Sequence, residues 1–548
     1  MSDSSDIIVV GSGASAVHAA WPLVEAGLTV TMLDTGVRDE VYEPLIPARP
    51  YPELRHADAH QHRYLLGDNF EGIPFGHLGA GPQVTPPRQF VFRHADALTP
   101  TRSPEFEAAE SLALGGLGGA WGAVSFPYLD GELRQSGLPA NQLRQHYEIV
   151  ARRIGVSGDD SDDLCRVRGP LETLQPPLRL DSHAEQILAR YERKRDALNR
   201  AGCYAGRTLL AALTRDLGER KAHAYYDMDF WSNAGGSVYR PALTVKELSR
   251  HANFHYRPSY LVETFAETGA GSVRVRARSL PSNRVEEFES RRLIVAAGAL
   301  GTTRIVLRSL GQYDVRVPLT CNPHSYIPCV HYRSLGRVPR ERRHSLAQLT
   351  IMFDPTGDCE HLVQGQLYSY GSLMLFRLLK ELPLPYRESL RIMRALVPHM
   401  VIWVVQHEDR PGPDKYCTLR RNREGTGDYL EVVYRASPEG QQARQENEKR
   451  LAGFVRQLGC LPIKTVNTPE GSSIHYAGQF SASMDEKPLT TTIDGRLRPT
   501  RAVYLADGSA FAYLPAKGLT LTLMANANRI GEHVAQTLKP TNSIPASS

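Results

Sequence analysis

The chain has 548 residues, 41% hydrophobic and 22% charged, with a net charge of +5 at neutral pH. That length exceeds one ordinary core, so two joined domains are expected; the small charge, gathered in no tail, offers no case for nucleic acid, and no window nears the ~20 apolar residues of a membrane span. Seven cysteines (165, 203, 321, 329, 359, 417 and 460) never form C-x-x-C, and a first strand six residues from Met1 leaves no room for a secretory leader, so reduced thiols, no metal centre and a cytoplasmic protein are expected.

Asp6 to Gly36 organises the rest. Ile7–Val10 reads as a strand buried on both faces of a parallel sheet. Gly11, Gly13 and Ala16 then give G-x-G-x-x-A where strand becomes helix. Gly11 permits the tight turn, Gly13 lets a pyrophosphate approach the backbone, and Ala16 lets helix pack on strand. The helix begins near Ala14 and Ser15, aims its free N–H groups at that phosphate, and stops at Gly27. A second strand, Leu28–Leu33, ends in Asp34, placed to accept hydrogen bonds from the ribose hydroxyls of adenosine. An acid there repels a 2′-phosphate, so FAD or NAD is expected and NADP is not.

Val37 to Arg102 is irregular and rich in proline and histidine, a loop or lid over the cofactor. His56, His60 and His62 cluster there without a second ligand group or a helical face, so no metal is expected. A second glycine cluster, LALGGLGGAWGAVSFP, places Gly116, Gly119 and Gly122 where backbone can press against a flat ring or a phosphate, with Trp121 adding an aromatic face. Helical patterns follow at Ala140–Ile154 and Ser182–Ala201, where Ser182 and Glu185 match a capping box.

A helix is expected at Leu243–His251, a strand at Asn253–Thr264, a hairpin over 272–292, and a buried strand Leu293–Ala297 running into Gly298 and a further helix. Residues 311–470 alternate differently, with strands at His344–Phe353, His361–Tyr370 and Met400–Gln406 and a helix at Glu439–Gly459, a mixed or antiparallel sheet suited to a substrate wall. Leu373–Met400 interleaves Leu, Met and Phe with Arg and Lys; such a helix can touch a membrane surface, but reads first as half-buried with a solvated charged face. Finally, Ala502–Ala506 is a short strand entering Asp507-Gly508-Ser509, and Thr520–Leu538 is a helix rich in small residues.

These parts, in this order, resemble the glucose–methanol–choline (GMC) oxidoreductases: the N-terminal fingerprint with Asp34, the glycine cluster at 115–122, VAAGALGTTRIVLRS, a histidine in HYAG, the ADGS strand end and a T-L-T-x-M-A helix. The likeness spans about half the chain; the middle resembles nothing nameable. It implies an α/β fold with a Rossmann-type FAD-binding domain, assembled from residues 1–130, 237–310 and 471–540. A helical and irregular insert (131–236) and a second, α+β substrate domain on a mixed or antiparallel sheet (311–470) complete it, with 541–548 a tail. FAD would meet Gly11, Gly13, Ala14, Ser15, Asp34, Gly116, Gly119, Trp121, Gly122, the backbone of Val262, Ala297, Gly298, Asp507, Gly508, Gly518, Leu519 and Thr520. His475 matches the family's general base, which removes a hydroxyl proton as hydride passes to flavin N5.

One departure matters. The family carries a second catalytic His or Asn before the T-L-T helix, and here Gly518 holds that place, beside Lys517. Either Lys517 supplies a donor or charge to the flavin or substrate oxygen, or it faces solvent, or the chemistry needs no second group. The function implied is FAD-dependent oxidation of a CH–OH group on a small or medium-sized organic molecule, with oxygen, a quinone or a protein as electron acceptor. A second reading is a flavoprotein of another class on the same scaffold, such as an isomerase, lyase, decarboxylase or desaturase; a third is a binding protein that keeps FAD structurally.

Overall fold

The computed structural model describes residues 5–39, 41–72, 85–269, 271–336, 343–369, 383–422 and 427–538. Its organising sheet contains five parallel strands in the spatial order Phe254–Arg257, Val30–Leu33, Ser5–Val10, Val285–Val295 and Val503–Leu505. Ile7, Val9 and Val10 are buried, as a strand covered on both faces demands. The expected long strand after residue 253 is instead two, because the chain breaks at Pro258 and Ser259, the latter at φ +68°. The expected hairpin arm and central strand are conversely one element, Val285–Val295. Its exposed first half pairs antiparallel with Val273–Ser279, and its buried second half joins the parallel set.

Helix Ala14–Glu25 packs against the C-terminal helix Thr520–Leu538. Gly531 makes that approach possible, since a Cβ there would stand 2.2 Å from the Ala19 carbonyl oxygen. Leu521, Met524, Ile530 and Val534 are fully buried on this helix, each stabilising by ~1.5–3 kcal/mol.

A second, antiparallel sheet runs in the order Cys460–Pro462, His324–His331, Met400–Gln406, Val363–Ser369, Leu349–Phe353 and Cys203–Arg207, with Val466–Asn467 also on His324–His331. Period-2 alternation gives it two faces. Val401, Trp403 and Val405 pack in one core with the helices Ser182–Arg200 and Pro438–Gln457, while Ile402, Val404 and Gln406 face the other way. The helix at 182 is capped by Asp181, whose carboxylate accepts from Ala184 N at 2.9 Å, and not by Ser182. A smaller sheet of Thr101–Arg102, Asp428–Tyr434, Lys415–Arg421 and Arg316–Pro318 lies beside the first.

Among the described residues, 37–102 is a set of short helices, including Tyr51–Ala57 and His62–Leu65. Of the basic amphipathic stretch, Arg377 and Lys380 lie outside the described residues, and Tyr386–Leu396 is a helix. No helix of the described residues is long and apolar enough to cross a membrane.

Candidate active site

The loops at the C-terminal ends of the parallel strands meet the inner face of the antiparallel sheet around one cavity of about 790 Å³. Gly11, at φ +95°, turns the first strand into helix Ala14–Glu25 with no room for a side chain, because a Cβ would lie 2.7 Å from the Ala296 carbonyl oxygen. Gly116, at φ +57°, comes so close that its Cβ would be 3.3 Å from the Cα of Gly13. The two glycine clusters, a hundred residues apart in sequence, thus form one floor.

Asp34 ends the second strand on the cavity. Ser12 Oγ donates to its Oδ2 at 2.5 Å and Tyr256 OH at 2.9 Å, and Ser12 Oγ itself accepts from Gly115 N at 2.9 Å. Burial lifts the Asp34 carboxyl to about 6, against the pull of those hydrogen bonds. On the far side, Asp507 accepts from Ser509 N (3.0 Å), Ser509 Oγ (2.6 Å) and Thr302 Oγ1 (2.6 Å), tying the last strand to helix Ala299–Ser309. Gly508 is pressed so closely on that loop that a Cβ would meet the Tyr476 carbonyl oxygen at 2.6 Å.

Gly11, Gly13, Ala14, Ser15, Asp34, Gly116, Trp121, Gly122, Val262, Ala297, Gly298, Asp507, Gly508, Gly518, Leu519, Thr520 and His475 all border the cavity. Trp121 is fixed by its Nε1, which donates to the Tyr239 carbonyl at 2.6 Å, and Val262 sits where a bulge offsets the register of its strand. Gly119 does not border the cavity and packs on Val91. Nor does Lys517. Its Nζ donates to Glu132 Oε2 at 2.6 Å, with side-chain exposures of 0% and 1%, so it neither reaches the cavity nor faces solvent. Burial lowers the Lys517 ammonium and raises the Glu132 carboxyl, and each is pulled back by the charge of the other. His56, His60 and His62 are outside the cavity, and the described residues contain no group of three His, Cys, Asp or Glu arranged for a metal ion.

The side of the cavity away from the glycine floor is walled by the antiparallel sheet. Its register sets His324 opposite Gln406, Tyr326 opposite Val404 with Gln366 beyond, and Tyr368 opposite Ile402. Polar groups gather at the His324 end and aromatic and aliphatic ones follow. Phe230, Trp231 and the buried Arg88 close the space.

His475 and His324 meet here, ring centroids 5.6 Å apart at 82°. Burial pushes the His475 imidazole down to about 4, and burial with the nearby His475 pushes His324 down to about 3, so both are neutral at neutral pH. Gln406 Nε2 lies 3.2 Å from His475 Nδ1 and donates to the Lys517 carbonyl at 3.0 Å. The sequence reading passed over His324 and Gln406; the available signal was the alternation of HSYIPCVH, which puts His324 and Tyr326 on one face.

No family model matches the chain. It is 26% identical, over 563 aligned positions covering 97% of this chain and 92% of the other, to the 6'''-hydroxyparomomycin C oxidase of Streptomyces lividus. It is likewise 26% identical, covering 97% and 91%, to the paromamine 6'-oxidase of Streptomyces fradiae. Among solved structures it superposes on an FAD-dependent oxidoreductase from Chaetomium thermophilum with a TM-score of 0.56 at 14% identity, covering 98% of this chain and 100% of that one. The chain is therefore similar from end to end to two oxidases and shares its fold with an FAD-dependent oxidoreductase.

Proposed function

We propose that this FAD-dependent oxidoreductase oxidises a CH–OH group of a small or medium-sized organic molecule, on a GMC-like scaffold with a Rossmann-type cofactor domain. The observation that carries the reading is the meeting, in one cavity, of the glycine floor with two neutral imidazoles. The floor fits the cofactor: at Gly11 a Cβ would collide with neighbouring backbone and at Gly116 it would be crowded at 3.3 Å, and the carboxylate of Asp34 follows the second strand on the cavity, where it would meet a ribose. FAD, when bound, supplies the two-electron acceptor that takes hydride from the carbinol carbon.

The chain's own residues do the rest. The loop of Gly11 and Gly13 with the N-terminus of helix Ala14–Glu25 holds the pyrophosphate. The wall of Tyr326, Val404, Gln366, Ile402 and Tyr368 packs the substrate body and excludes water. The hydroxyl proton passes to one of the two buried imidazoles, His475 or His324, both neutral at working pH. Similarity to a 6'''-hydroxyparomomycin C oxidase and a paromamine 6'-oxidase supports a hydroxyl as the reacting group and makes paromamine a first substrate to try. The unpaired cysteines of the described chain, five of them buried, agree with a reducing, cytoplasmic setting.

The test is anaerobic addition of paromamine, D-glucose, benzyl alcohol and hexan-1-ol to the purified yellow protein. Bleaching of the flavin by at least one, with the matching aldehyde or ketone as product, is expected. Protein that refuses FAD, or flavin left oxidised by all four, refutes the proposal. Reoxidation with oxygen, a quinone or a redox protein then identifies the electron acceptor.

A further inference from the structure

The substrate oxygen needs a second partner, and Gly518 cannot be it: it has no side chain, and Lys517 beside it is bound to Glu132. We infer that the substrate sheet supplies this partner, His324 taking the hydroxyl proton while His475 donates a hydrogen bond to the same oxygen, with Gln406 setting the two roles. The assignment rests on the CH–OH reading above.

Gln406 decides the tautomers. Its Nε2 lies 3.0 Å from the Lys517 carbonyl oxygen and 3.2 Å from His475 Nδ1. A carbonyl oxygen only accepts, so the amide nitrogen is the end that faces it, and the second N–H of that nitrogen serves Nδ1. A neutral imidazole whose Nδ1 accepts carries its proton on Nε2. His475 therefore offers the cavity a donor and not a lone pair.

His324 is the complementary group. It stands opposite Gln406 in the strand register, borders the same cavity, and its Nε2 has no hydrogen-bond partner among the described residues. A hydrogen bond to the Gln406 side chain favours the charged form of His324. A protonated imidazole can only donate, so the accepting atom is Gln406 Oε1. With its nitrogen committed to the Lys517 carbonyl and to His475, the amide of Gln406, opposite His324 in the strand register, has only Oε1 left to accept from an imidazolium formed on that ring. Around His324, His475, His407 and Arg444 all oppose a positive charge, and Glu448 partners His407 and Arg444.

The step balances. The O–H bond breaks and its proton moves to His324; the carbinol C–H bond breaks and its electron pair leaves as hydride to the cofactor; the carbon–oxygen bond becomes double. His475 Nε2–H bonds the oxygen as negative charge builds on it.

Two measurements test the assignment on FAD-loaded protein. In single-turnover flavin reduction, followed against pH with whichever of the four alcohols bleaches the wild type fastest, His324→Gln is expected to slow reduction by ~10²–10⁴-fold and to lose the acid limb. His475→Gln keeps a side-chain N–H and is expected to keep the limb. In ¹⁵N spectra of histidine-labelled wild type, His475 is expected as the Nε2–H tautomer, and Gln406→Leu is expected to mix its tautomers. His324→Gln reducing flavin within ~3-fold of wild type, or His475 found protonated on Nδ1, overturns the assignment. The ¹⁵N result decides alone if His324→Gln fails to take up FAD. A wild-type flavin that no alcohol bleaches refutes the CH–OH reading instead, and with it this one.

Discussion

Lys517→Met separates structure from chemistry at the residue beside Gly518. Lys517 and Glu132 are 2.6 Å apart with exposures of 0% and 1%, and Glu132 Oε2 also accepts from Leu129 N at 2.7 Å, closing the first turn of helix Asp130–Gln135. Removing one partner of such a pair strands a buried charge, which costs about 3–5 kcal/mol. Replacing both, as Lys517→Met with Glu132→Leu, removes the charge as well and leaves chiefly the lost helix cap, about 1 kcal/mol. Subtracting both single costs from that of the double gives an expected coupling of about 5 kcal/mol or more in magnitude. The stranded Glu132 has its carboxyl raised by burial, so its stability contribution is complete below the unfolded pKa and is lost as pH rises through the folded one; the Lys517→Met deficit grows from acid to neutral pH. Denaturant midpoints of the four proteins at two pH values measure all of this. Lys517→Met with unchanged stability and abolished flavin reduction would refute the reasoning and return the lysine to the mechanism.

Three further outcomes follow from the site. Asp34 is raised from 3.8 to about 6, which places about 3 kcal/mol of stability in the protonated form. In protein stripped of FAD that contribution is complete below the unfolded value and lost as pH climbs through about 6, so Asp34→Asn should flatten the pH dependence of unfolding over this window and weaken FAD uptake; an unaltered profile contradicts it. With the base His324 held down to about 3 by burial and the nearby His475, flavin reduction should be level from neutral pH down to about 4 and fall only near 3; an acid limb at 6–7 would show a group other than this one at work. Gly531→Ala puts a methyl group 2.2 Å from the Ala19 carbonyl oxygen, which should wedge the two helices apart and destabilise by ~2 kcal/mol or more, read as a lower melting temperature and faster FAD loss.

What could be read in the sequence was what a local steric demand writes there. Gly11, Gly13, the strand before them and Asp34 after them lie close together in the chain, so their spacing marked the strand, turn and helix that border the cavity. The antiparallel sheet is built by pairing distant segments. Strand Cys203–Arg207 lies against Leu349–Phe353, and nothing in either segment names its partner. Likewise Lys517 and Glu132 are 385 residues apart in the chain, and a lysine beside a glycine reads as exposed until its carboxylate is found. The single strand Val285–Val295 was divided by its own chemistry, solvated charges in VEEFES and apolar residues in LIV, although the backbone runs straight through both environments.

The buried pair and the imidazoles belong to one construction. The loop at 514–517 is clamped by the substrate side at two amides: Asn322 Nδ2 donates to the Pro515 carbonyl at 3.0 Å and to the His407 carbonyl at 2.7 Å, and Gln406 Nε2 donates to the Lys517 carbonyl. The Lys517 side chain fixes the same residue from the opposite side through Glu132. A residue held at both ends holds its carbonyl still, and that carbonyl dictates which way the Gln406 amide lies. On the assignment inferred above, Lys517 would act on the reaction at one remove, by keeping a donor turned to His475. This yields a discriminating expectation: Lys517→Met should loosen the His475 tautomer preference in ¹⁵N spectra. The double replacement with Glu132→Leu, which repacks the loop, should restore both the preference and the rate of flavin reduction. Restored stability without the restored tautomer would show that the charge itself, and not the anchored carbonyl, orients the amide.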